Sequence, residues 1–100
     1  MTLAALAAAA VLAGAWQADP PLPLARSEVA GAAYRGGVAV VGGYLRDGRS
    51  SARVDLYRPG GGWSRLPDLP VTVNHAMATA SHGRLYVVGG YGENGPRSTA

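Results

Sequence analysis

The chain has 100 residues, a formal net charge of +3 and no cysteine, which bounds it at one small domain and excludes disulfides, thiolate metal sites and a lipid-bearing N-terminal cysteine. Its nine basic residues are all arginine, so neither a P-loop nor Schiff-base chemistry is available. Hydrophobic residues reach 48%, but 19 of them are alanines and eight of these fall within the first fifteen positions, leaving little bulk for a private core. Fifteen glycines and seven prolines suit a turn-rich β protein.

Residues 3–13 form an uncharged run of Leu, Val and Ala that ends in Ala13-Gly14-Ala15. The run is shorter than the roughly 20 residues a bilayer span requires. Its length and the small-x-small ending match a secretory signal, although no Lys or Arg precedes it. We therefore read 1–15 as an export signal, with a short Ala-rich apolar helix as the alternative, and expect a secreted, periplasmic or cell-surface protein with no stable membrane span.

The mature part, 16–100, opens with a segment, 16–28, expected to supply a strand near Trp16 and then a linker. A first unit follows over 29–67. Val29 to Tyr34 reads as a strand of small residues, and Arg35-Gly36-Gly37 as a tight turn with glycine available for positive φ. Val38 to Gly43 reads as a second strand, apolar on both faces and so buried on both sides. Tyr44 to Ser51 is a polar loop. In the third strand, Arg53 to Arg58, Val54 and Leu56 point one way and Arg53, Asp55 and Tyr57 the other. After the turn at Pro59 to Gly62, a fourth strand starts at Trp63 and ends at Pro67. A second, partial unit over 68–100 repeats the first two strands at Ala76 to Ser81 and Leu85 to Gly90.

The two units are copies. A shift of 47 positions lays Trp16 on Trp63, Pro20 on Pro67, Leu22-Pro23 on Leu69-Pro70, and Val40-Val41-Gly42-Gly43-Tyr44 on Val87-Val88-Gly89-Gly90-Tyr91. Ala33, Gly36, Gly48 and Ser51 also fall on their own kind, with no gap. The alanines of each first strand leave almost no side-chain volume, as the crowded centre of a radial assembly demands. Sheet units apolar on two faces have to be stacked.

Together these residues resemble the kelch repeat of β-propellers. The resemblance rests on the apolar strands ending in Gly42-Gly43 and Gly89-Gly90, on Tyr57 and the spaced tryptophans Trp63 and Trp16, and on Leu22-Pro23 ahead of Arg26. It covers 16–91 at a period near that of kelch repeats. In the second unit Val73-Asn74-His75 stands where the first has Arg26, so a common role for that arginine does not carry over. The resemblance implies an all-β fold of four-stranded antiparallel meanders forming part of a propeller. About one and three-quarters repeats fall short of the four to eight blades of a ring. We expect a fragment of a longer protein, with completion of a ring by self-association as the alternative.

The sequence places several polar and aromatic groups on one rim. In an antiparallel meander, the segment leading into the first strand and the loop leaving the second open onto the same end. Arg26, Glu28, Asn74 and His75 should therefore meet the loops carrying Tyr44, Arg46, Tyr91 and Glu93, and such loop clusters on a rigid scaffold are where binding concentrates. Aromatic, Arg and Glu groups in this setting suit a glycan or a protein partner. His82, beside Gly83, reads as an exposed turn residue. No metal site, catalytic residue or cofactor is assigned, since the histidines lack carboxylate or cysteine neighbours at ligand spacing. Gly90-Tyr91-Gly92-Glu93-Asn94-Gly95 has the G-x-G-x-x-G form but no helix to receive a pyrophosphate. Acidic residues interspersed among the arginines argue against nucleic acid. The expected function is a non-catalytic binding module for protein or glycan. The alternative is part of a carbohydrate-active enzyme, since the kelch family includes sialic acid epimerases and galactose oxidase-like proteins.

Overall fold

The structure is a computed structural model that describes residues 14–93 together with Gly95 and Pro96. The expected export signal lies almost wholly outside the described residues. Those residues are all-β and contain no helix. Eight strands follow in chain order: β1 (Ala30–Tyr34), β2 (Gly37–Val41), β3 (Val54–Arg58), β4 (Gly62–Leu66), β5 (Met77–Ser81), β6 (Arg84–Val88), β7 (Tyr91–Gly92) and β8 (Gly95–Pro96). The first four form one antiparallel sheet in the order β1-β2-β3-β4, while β5-β6 and β7-β8 are two-stranded.

The first sheet is the expected meander, with Ala32 opposite Ala39, Ala39 opposite Leu56, and Tyr57 opposite Trp63. Its opening hairpin turns at Arg35 and Gly36, whose φ angles are 47° and 75°; β5-β6 turns at His82 and Gly83, at 50° and 75°. Positive φ at both central residues is the type I′ turn, whose twist matches that of the flanking strands. The 47-residue period extends to other left-handed positions. Glu28 and His75 have φ of 52° and 55°, and Gly43 and Gly90 have 98° and 86°.

The core lies where the two larger sheets meet. Ala30, Ala39, Val41, Val54 and Leu56 are buried, and Leu85, Val87, Ala76 and Ala78 from the second unit pack against them. Strand β1 lies against β5, and their small side chains permit that approach. Val38 and Val88 remain half exposed, so neither β2 nor β6 is buried on both faces as the apolar runs suggested.

One further expectation needs correction. No strand forms over 14–26, and Trp16 is fully exposed. Its counterpart Trp63 packs across the ladder on Tyr57, at a ring separation of 5.2 Å, and donates from Nε1 to the Pro20 carbonyl at 2.9 Å. Trp16 lacks such a neighbouring strand. Within β3 the side chain of Asp55, which alternation sets opposite to Val54 and Leu56, is 1% exposed. Burial of this carboxylate is made tolerable by the arginines around it.

Candidate ligand-binding face

Arg26 forms the floor of the face. Its guanidinium is wholly buried and reaches Asp55 Oδ2 at 2.9 Å, the Gly42 carbonyl at 2.7 Å and the Val40 carbonyl at 3.2 Å. Arg53 closes the other side of Asp55 with contacts of 3.0–3.1 Å. Burial pushes the Asp55 carboxyl up, but the hydrogen bonds and charges of Arg53 and Arg26 outweigh it and hold the group below its ordinary value. The guanidinium of Arg26 is thus spent on internal partners. Its work is to clamp the segment before β1 onto β2 and β3.

Above this clamp the loops assemble as the rim argument anticipated. Tyr44 forms backbone bridges to Ser27 and Ser50, and its repeat counterpart Tyr91 bridges to Asn74. Ser51 bridges to Val73, so the linker into the second unit is stitched to the first. A side chain at Gly43 would approach the Ser27 carbonyl to 2.5 Å, and one at Gly90 the Asn74 carbonyl to 2.5 Å. Each Gly-Gly pair therefore lets the chain leaving the second strand pass against the chain leading into the first.

His75 is at the centre. Its ring lies between those of Tyr44 and Tyr91, with centroids 5.8 and 6.0 Å away and planes at 80° and 85°. Nδ1 is 2.6 Å from Asn74 Oδ1 and Nε2 is 3.2 Å from Glu28 Oε2. Asn74 is itself buried, and its Nδ2 donates to Ser50 Oγ at 2.7 Å and to the Tyr91 carbonyl at 3.2 Å. Because a carbonyl can only accept, the amide orientation is set and Oδ1 must receive the Nδ1 proton. The imidazole is thus oriented from both sides while Glu28, His75 and Tyr91 stay accessible, Tyr91 at 50% exposure.

The remaining predicted residues flank this centre. Glu93 accepts from the Ser50 backbone N–H at 2.6 Å, which ties the second loop to the first. Arg46 is exposed and has no ion pair among the described residues. With Ala25, Arg26, Ser27, Tyr44 and Leu45 it lines an open hollow of about 210 Å³, next to another of about 480 Å³ bordered by Pro23, Leu24 and Asp47. Asp47 itself is engaged by Arg49, whose backbone and side chain lower its pKa.

Sequence reasoning missed Ser50, which connects Asn74 and Glu93, and the buried Asp55. An acid between Val54 and Leu56 was a readable warning that a cation had to be near. Nothing local marked Ser50. Among the described residues, no group of three or more His, Cys, Asp or Glu side chains could hold a metal, and no helix is long and apolar enough to cross a membrane. Within the G-x-G-x-x-G segment, Tyr91 and Gly92 of β7 pair with Pro96 and Gly95 of β8. Neither a family model nor a curated protein matches the chain.

Proposed function

We propose that the chain is part of an exported kelch-type β-propeller, a non-catalytic module that holds a protein or glycan partner on the face around His75. The 47-residue period, the four-stranded meander and the packing of β1 against β5 support the propeller reading. The apolar run at 3–13 supports export. The observation that carries the binding role is the accessible Glu28–His75 pair, framed by Tyr44 and Tyr91. Both members occupy left-handed backbone positions, which are uncommon for Glu and more readily adopted by His. Such conformations are retained where surrounding structure over-determines them, and they cluster at ligand sites. Flat rings beside a carboxylate and an imidazole suit hydroxyl-rich or peptide surfaces.

The oriented chain from Asn74 through His75 to Glu28 also favours a second reading, an acid–base pair of a carbohydrate-active enzyme. The two readings separate in one experiment. The chain is screened against glycan and peptide arrays beside Glu28→Gln and His75→Gln variants, with every bound sugar followed for chemical change. Retention of an unaltered ligand, weakened roughly tenfold or more in both variants at unchanged melting temperature, is the expected result. Equal binding by wild type and variants would overturn the binding face. Turnover of a bound sugar that is lost in both variants would favour the enzyme.

A further inference from the structure

The tight turns of both units meet at the end of the sheets opposite His75. Antiparallel connectivity puts the β1-β2 and β3-β4 turns there together. The Tyr34 hydroxyl, donating to the Gly83 carbonyl at 3.5 Å, brings in the β5-β6 turn. Arg35, Arg58 and Arg84 stand on these turns, all three exposed. Two of them are held by neutral groups. The Arg35 guanidinium lies over the Tyr34 ring, 4.9 Å from its centroid, and Arg58 Nε donates to the Arg35 carbonyl at 3.0 Å.

No acidic side chain pairs with this cluster. Along the chain acids and arginines alternate, but folding separates them. Of the six acidic residues, Asp47 pairs with Arg49, Asp55 with Arg26 and Arg53, and Asp68 with Arg65. Glu28 and Glu93 lie on the rim around His75, at the other end. Asp19 faces the Tyr57 hydroxyl. All six belong to the described residues, so every acidic side chain is accounted for and the three arginines keep their excess of positive charge.

The shape of this end narrows the occupant. Apart from the arginines and His82, its turns are built of Gly36, Pro59, Gly60, Gly61 and Gly83, so no long neutral side chain holds a surface away from them. The hollows beside Arg46 lie at the opposite rim. A peptide is received along a groove or a strand edge. Arginines on a row of small hairpin tips suit a flat, extended array of negative charge instead.

We propose that this end docks on the anionic headgroups of a lipid bilayer, with the His75 face turned away from the surface. A guanidinium takes a phosphate through two parallel N–H donors. Arg58 keeps both of its Nη groups for this purpose, since only Nε is spent on the Arg35 carbonyl. The negative potential of such a surface attracts basic groups within about a Debye length. The attachment is peripheral and electrostatic, and it requires no element to enter the hydrocarbon.

Flotation of the full chain with phosphatidylcholine vesicles, with and without phosphatidylglycerol, tests this. Binding is expected only where phosphatidylglycerol is present, and it should fall as salt shortens the Debye length. Arg35→Gln, Arg58→Gln and Arg84→Gln should each weaken partitioning roughly fivefold, and together roughly a hundredfold. Arg84→Gln keeps the test sound if Arg58→Gln disturbs its turn, because Arg84 is exposed and makes no ion pair among the described residues. Arg49→Gln removes the same charge from the opposite rim and should leave partitioning nearly unchanged. Three results would overturn the proposal. The first is equal binding to neutral vesicles, which would trace to the apolar run at 3–13. The second is a loss with Arg49→Gln as large as with Arg84→Gln, which would reflect net charge alone. The third is capture of a polyglutamate peptide without binding to either vesicle.

Discussion

Asp55 carries a charge at a position from which water is excluded, and its neighbours decide whether that is stabilising. Arg26 and Arg53 satisfy the carboxylate, while Arg26 spends its other donors on the carbonyls of Gly42 and Val40. Removing one partner from a buried pair leaves the other uncompensated, at a cost of about 3–5 kcal/mol. Asp55→Asn should lower unfolding free energy by that amount in a urea titration, a large share of the total for a domain of this size. The sign with pH follows from the lowered carboxyl pKa. Between the folded value and the ordinary Asp value, about 3.9, the unfolded chain binds more protons, so this contribution is complete above about pH 5 and is lost as acid titrates the folded carboxyl. A melting series down to about pH 2 should show the decline in wild type, with a shallower slope in Asp55→Asn. Arg26→Lys would not substitute, because a single ammonium cannot serve three acceptors in a planar fork.

At the level of elements, the repeat is copied in turns and glycine corners more faithfully than in packing. Gly42 and its counterpart Gly89 both have positive φ, at 62° and 72°, yet their surroundings differ. A Cβ at Gly42 would come within 2.5 Å of the Val73 carbonyl, whereas at Gly89 it would meet nothing within 4 Å. Gly89→Ala should therefore cost only the left-handed penalty, about 1–2 kcal/mol. Gly42→Ala should cost about 3 kcal/mol or more, since the linker through Val73 must also shift. Denaturant midpoints that differ in this order at equal slope would bear out the asymmetry. Equal midpoints would mean that the linker yields freely.

For the whole molecule, the candidate face arises from joining one sheet to the start of the next. The face forms because Asn74 and His75 of the second unit reach Ser50, Tyr44 and Glu28 of the first. The loss of binding expected for Glu28→Gln and His75→Gln at unchanged melting belongs to this scale.

Strand order, hairpin positions and the meander were legible in the sequence, because alternation, Gly-rich turns and a 47-residue copy are local signals that each strand satisfies with its neighbour. The convergence of Glu28, Tyr44, Asn74, His75, Tyr91 and Glu93 was legible too, since antiparallel connectivity alone puts those loops at one end. The sequence could not say that Arg26 turns inward, that Asp55 is buried beside it, or that Trp16 has no neighbour while its copy Trp63 does. Those outcomes depend on which groups, far apart in the chain, compete for the same buried space and the same hydrogen bonds. Repeat equivalence preserves a backbone path, but burial and charge are settled only when the sheets close on one another.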